Sequence, residues 1–146
     1  SLRALERFMS KAGKVLGALP SRWPVRGPVT SEFGRRRSPW SGAPEFHSGL
    51  DIRARRGTLV KAPAPGTVRF AGRQKDYGLT VVLDHGRGIK TRYGHLSRIT
   101  VRRGDRVERG QAIAKTGNSG KSTGPHLHYG ITVRGKPVNP RAYLWD

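Results

Sequence analysis

Four of the chain's five histidines fall in three short segments: His47-Ser48-Gly49-Leu50-Asp51, Tyr93-Gly94-His95-Leu96 and Pro125-His126-Leu127-His128-Tyr129. Side chains alternate faces along a strand, so His126 and His128 point to one side. His47 and Asp51 are four residues apart and share a side if the chain is extended there. Imidazoles with one carboxylate suit a zinc ion that keeps a position open for water. Structural zinc sites more often use cysteine, and this chain has none. Each segment alone has a plainer reading: a surface hydrogen-bonded pair for His47 and Asp51, metal-free strand histidines for His126 and His128. His85, in the turn-like Asp84-His85-Gly86, reads as structural.

A length of 146 residues gives one domain able to bury a core. The lack of cysteine excludes a disulfide framework and an iron–sulfur cluster. There is no run of about eighteen apolar residues that could span a membrane, and no secretory signal pattern. The chain starts at Ser1 rather than Met, which suggests a processed piece whose targeting segment lies outside it. Its net charge is +20, from 29 Lys and Arg against 9 Asp and Glu. Such a field attracts polyanions: nucleic acid, anionic wall polymer or lipid headgroups. The basic clusters Arg35-Arg36-Arg37, Arg53-Arg55-Arg56 and Arg102-Arg103 are scattered and not interleaved with aromatics. A stacking platform is therefore missing, and nucleic acid is the disfavoured partner.

Residues 1–19 must be a helix, since Leu2, Leu5, Met9, Ala12, Leu16 and Leu19 recur at steps of three and four. Pro20 and Pro24 stop it. It could lie on the following domain, form the end of a longer coiled coil with a partner, or rest near a membrane surface. Residues 20–146 form the second unit. Short strand-like runs occur there at Thr67 to Ala71, Leu79 to Leu83, Ile99 to Val101, Ile113 to Thr116 and Leu127 to Val133. Glycine-rich turns between them predict a mainly β fold, an antiparallel, barrel-sandwich-like sheet. Two long irregular stretches, Ser31 to His47 and Gly117 to Pro125, each lead into a candidate ligand segment, as binding loops do. Arg55-Arg56-Gly57-Thr58-Leu59-Val60 recurs as Arg102-Arg103-Gly104-Asp105-Arg106-Val107, by chance or by duplication of half a sheet.

The histidine segments occur in order with Ser31-Glu32-Phe33-Gly34-Arg35, Gly117-Asn118-Ser119-Gly120-Lys121-Ser122-Thr123-Gly124 and Pro137-Val138-Asn139-Pro140. As an ordered set, from about Trp23 onward, they resemble the lysostaphin/LytM-type peptidoglycan metallopeptidases. The resemblance implies a mostly antiparallel sheet with a groove across one face. It implies one Zn²⁺ per chain, held by His47, Asp51 and His128, with His95 and His126 as the catalytic pair. Spacing alone does not separate His126 from His128. Arg35, Tyr93, Asn118, Ser119, Ser122 and Thr123 are the candidate groove residues; packing and simple turn chemistry explain the same letters. No HExxH motif supplies a glutamate base, so imidazoles must carry the protons near neutral pH. Gly130 departs from the family pattern, where many relatives carry an acidic residue.

The implied activity is metal-dependent hydrolysis of peptide cross-links in bacterial peptidoglycan, in the periplasmic or extracellular cell envelope. The basic flanks favour stem peptides with free carboxylates, hence D-alanyl–diaminopimelate bonds over glycyl–glycine bridges. The alternative is a non-catalytic wall-binding or amidase-activator module of the same fold. Gly104 to Ala114 also resembles a biotinyl or lipoyl carrier hairpin, but no exposed tip lysine motif accompanies it.

Overall fold

In the computed structural model, which describes residues 1–145, the Ser1 hydroxyl accepts from the Ala4 N–H and caps α1 (Leu2–Ala18). Leu19 is extended and Pro20 follows, so the helix ends where its hydrogen bonds would be lost. No residue of α1 is buried; Leu2 is 72% and Phe8 69% exposed. Leu19 is the first residue of this segment to pack on the core.

The remaining elements are strands. They are β1 (Val29–Ser31), β2 (Gly34–Arg37), β3 (Pro44–His47), β4 (Leu50–Arg53), β5 (Leu59–Lys61), β6 (Gly66–Gln74), β7 (Gly78–Asp84) and β8 (Ile89–Ile99). Then come β9 (Arg106–Val107), β10 (Ala112–Thr116), β11 (His126–Val133), β12 (Lys136–Val138) and a short 3₁₀ turn at Pro140–Ala142. Every pairing among them is antiparallel. The main sheet runs β1-β4-β11-β8-β7-β6-β9, with β12 on β11 and β10 joining β8 to β5. It is not a closed barrel, as β1 and β9 end the run. One apolar cluster joins Leu50 and Ile52, Val81 and Leu83, Tyr93 and Leu96, Ile113, and Leu127, Tyr129 and Ile131.

β8 changes partners halfway. Ile89 to Gly94 pair with β11, and Leu96 to Ile99 pair with β10. Between them His95 has φ +60°, and the register against β7 slips. A non-glycine residue held there costs about 1–3 kcal/mol and is re-aimed relative to its neighbours. The His95 N–H bonds to the Tyr77 carbonyl at 2.6 Å instead of continuing the ladder.

Two expectations need correction. The stretch Ser31 to His47 is not irregular throughout: β2 and β3 form a hairpin, tied by an Arg36–Glu45 ion pair of 3.0 Å and an edge-on Phe33–Phe46 contact. Its Arg, Pro and Glu letters lack apolar alternation, which hid it. Of the expected strand at Ile99 to Val101 only Ile99 is strand, as the last residue of β8, which reaches back to Ile89. Lys90, Arg92 and Gly94 interrupt that strand's apolar letters because one of its faces lies outside the core. The two Arg-Arg-Gly repeats both form a turn, Thr58 N–H to Arg55 O and Asp105 N–H to Arg102 O, followed by a short strand. The likeness extends no further: β5 pairs with β10, and β9 with β6.

Candidate metal centre and catalytic cleft

His47 ends the hairpin and Asp51 lies in the main sheet, so the chain crosses from one sheet to the other at Ser48-Gly49. A Cβ on Gly49 would collide with the Tyr129 carbonyl oxygen, so only glycine permits this crossing. β4 pairs with β11 so that Asp51 stands directly opposite His128. Tertiary pairing, not one extended segment, brings the three groups together. Their potential ligand atoms all lie within 4.8 Å of one another, and all three residues are buried.

Asp51 is the hub. Its Oδ1 is 3.1 Å from His128 Nδ1, 3.3 Å from His47 Nε2 and 3.7 Å from His126 Nε2. Its Oδ2 accepts from Arg36 at 3.3 Å. Burial pushes the Asp51 carboxyl up, but its close contacts with the His128 and His47 rings outweigh it and hold the pKa well below the usual carboxylate range. Burial pulls His128 down to about 4, against the opposing Asp51 contact. Burial likewise lowers His95, while its bond to the Ser119 carbonyl opposes that shift. A neutral imidazole at His128 and an ionised Asp51 are the forms that bind metal.

Backbone carbonyls fix the tautomers of the other rings. Nδ1 of His47 donates to Glu32 O at 2.9 Å, that of His95 to Ser119 O at 2.7 Å, and that of His126 to Gly124 O at 2.7 Å. A carbonyl can only accept, so in each neutral ring Nε2 keeps its lone pair. For His47 that leaves a metal-ligating nitrogen. For His95 and His126, whose centroids are 4.9 Å apart, it leaves two proton acceptors side by side. The donor set and the locked His47 tautomer fit one zinc ion, held by His47, Asp51 and His128.

A cleft of about 310 Å³ opens over this cluster. Ser122 and Thr123 line it; Ser122 Oγ donates to Gly124 O, the carbonyl that holds His126. Ser119 lies beneath: its hydroxyl bonds the Leu96 carbonyl, and its own carbonyl fixes His95. Asn118 is exposed and outside the cleft lining. Arg35 is exposed as well, opposite Phe46 on the hairpin, while Arg36 turns inward to Asp51, Glu45 and Ser31. Tyr93 does not line the cleft: its hydroxyl is buried, 2.6 Å from Thr91 Oγ1, because residue 93 takes the core face of β8.

Arg36 and Tyr77 escaped the sequence reading. Tyr77 stacks on His128 at 4.8 Å between centroids, and its hydroxyl lies 3.3 Å from Ser48 Oγ. An aromatic residue in the Asp76-Tyr77-Gly78 turn was the available signal for it. For Arg36 the signal was alternation within Arg35-Arg36-Arg37, readable only once the hairpin is known.

The chain belongs to Peptidase family M23, whose profile matches residues 45–140. This is the lysostaphin/LytM family that the ordered segments resemble. The chain is 40% identical over 136 residues to the peptidoglycan DD-endopeptidase ShyA of Vibrio cholerae, covering 91% of this chain and 32% of that protein. It is 39% identical over 139 residues to the murein hydrolase activator EnvC of Escherichia coli, covering 94% and 32%. Among solved structures, a zinc-containing peptidase from Vibrio cholerae superposes with a TM-score of 0.76 at 37% identity, covering 82% of this chain and 38% of that one. The chain thus spans about a quarter to a third of the length of the curated relatives it matches.

Proposed function

We propose that this chain is the catalytic domain of a cell-envelope zinc endopeptidase that hydrolyses D-alanyl–diaminopimelate cross-links of peptidoglycan. The observation that carries the reading is the pairing of a metal-ligand trio with two imidazoles whose Nε2 atoms are free to move protons. A bound zinc ion would polarise the scissile carbonyl and lower the pKa of water toward about 7. Arg36, hydrogen-bonded to Asp51 Oδ2, orients the carboxylate. His95 and His126 take the proton from the attacking water and return one to the leaving amine. The cleft wall formed by Tyr77 and the loop through Ser122 and Thr123 seats the peptide. The similarity to ShyA and the +20 charge favour cross-linked stem peptides with free carboxylates over glycine bridges.

Digestion of purified peptidoglycan and of defined muropeptide dimers, with mass analysis of products, tests this. Release of monomers ending in D-alanine from direct cross-links is expected. Cleavage of glycyl–glycine bridges alone would refute the bond assignment, and no cleavage by protein carrying one zinc would refute the activity.

A second reading follows from the similarity to EnvC and from the uncovered apolar stripe of α1. It makes the fold a wall-bound activator whose residues 1–19 engage a coiled-coil or membrane-proximal partner. Full zinc loading without turnover, together with stimulation of a separate wall hydrolase, would favour it.

A further inference from the structure

A second, smaller cavity continues the cleft past His128. β11 places His128, Gly130 and Thr132 on one face of the sheet, and β8 sets Gly94, Arg92 and Lys90 directly opposite them. All of these but Gly94 line, with Ser48, Val82 and Pro137, a cavity of about 110 Å³. Ser48 and His128 line both this cavity and the cleft, so the two are contiguous.

Gly130 is what leaves the space open. Its φ is not in the left-handed region, so the backbone does not require glycine there. A Cβ would stand 3.4 Å from Ser48 O and 3.8 Å from His128 Nε2, in tolerable contact. Among the described residues no acidic side chain lines the cavity. Among the described residues neither Arg92 nor Lys90 has an ion-pair partner, and Arg92 Nε is buried without a hydrogen-bond acceptor. The Arg92 guanidinium instead lies 5.3 Å from the centre of the Tyr77 ring, which itself stacks on His128. An unpaired cation beside an acid-free cavity calls for an anion, and a guanidinium fork matches a planar carboxylate.

We propose that this cavity is a carboxylate-binding subsite: Arg92, with Lys90 beside it, receives the free carboxylate of the stem-peptide residue that supplies the nitrogen of the hydrolysed bond. The proposal rests on the peptidase reading above and adds a residue that sets specificity. In a direct cross-link that residue is diaminopimelate, and its carboxyl sits on the carbon bearing the scissile nitrogen. A glycine bridge has no charged group there.

The test uses two synthetic dimeric stem peptides that differ only in that carboxyl, free or amidated, with the zinc-loaded protein. The wild-type chain should favour the free acid by roughly tenfold or more in kcat/KM, the scale of one hydrogen bond to a charged group. Arg92→Gln, at equal zinc content, should erase that preference. An unchanged preference, or equal losses on both substrates, overturns the proposal. Calorimetric titration with the uncross-linked peptide, free or amidated, gives a readout apart from turnover: Arg92→Gln should weaken only the free acid's binding. If the wild-type protein cleaves neither dimer, the peptidase reading fails and this titration still decides the subsite. Should Arg92→Gln not fold, Gly130→Gln fills the cavity from the other wall and must erase the same preference.

Discussion

The two faces of β8 and β11 are built from alternate residues of the same strands, yet they follow different chemistry. On one face Tyr93, Leu127, Tyr129 and Ile131 are fully buried in the apolar core, with Tyr93 directly opposite Tyr129. On the other, one residue along, His128 stands opposite Gly94, and Gly130 opposite Arg92. The core face is filled by side chains. Across β8 and β11 the cleft face sets His128 and Arg92 each against a glycine, which leaves room for a ring or a substrate. Function here costs packing on one face, and the other face bears the stability.

Loss of metal is the largest expected break in this contrast. His128→Ala should abolish stoichiometric zinc, measured by metal analysis of the purified protein; one zinc per chain retained would remove His128 from the ligand set. Next, His95→Ala and His126→Ala should keep the metal yet lose about 10²–10⁴-fold in hydrolysis, the usual contribution of a placed acid or base. Wild-type turnover by either variant at equal zinc content would exclude that histidine.

The core face gives the complementary outcome. Leu127→Ala, between the two cleft histidines but pointing away from them, should lower stability by about 2–5 kcal/mol in denaturant melts. Zinc content in its folded fraction should stay at one; loss of metal there would show that the faces are not independent.

His85 is a smaller test, because it is a histidine serving the core side. Its Nδ1 donates to Pro65 O at 2.8 Å, and its Nε2 lies 2.7 Å from Thr91 Oγ1, which in turn meets the Tyr93 hydroxyl. Burial lowers its pKa. Below the unfolded value of about 6.5 the unfolded chain therefore binds more protons than the folded one. Stability should fall as pH drops through that value and level off below the folded pKa. His85→Gln should cost about 1–3 kcal/mol at neutral pH and flatten that decline, read from melting temperatures across the acid range. An equally steep decline in the variant would assign the acid sensitivity elsewhere.

Deletion of residues 1–19 should matter least to the site. None of α1 is buried, so zinc binding and hydrolysis of a small soluble substrate should persist. Sedimentation should instead report a change in self-association or partner docking. Collapse of zinc binding would make the helix and the sheet one folding unit.

Much of this was legible in the letters themselves. The alternation in His126-Leu127-His128-Tyr129 already assigned two rings to one face and two apolar groups to the other, because strand geometry acts between near neighbours. The stripe and proline stop of α1 were equally local. Amino-acid order also supplied the candidate imidazoles and carboxylate, though spacing alone did not separate His126 from His128. What only the tertiary structure decided depends on contacts distant in sequence. Asp51 meets His128 through strand pairing. Gly49 lets the chain cross between sheets under the Tyr129 carbonyl. Tyr93 belongs to the core and Tyr77 to the cleft, and Arg36 rather than Arg35 reaches Asp51. The choice of face at Arg36 and Tyr93 turns on register, where a shift of one residue reverses every side chain, and register is set by partners that the local sequence does not contain.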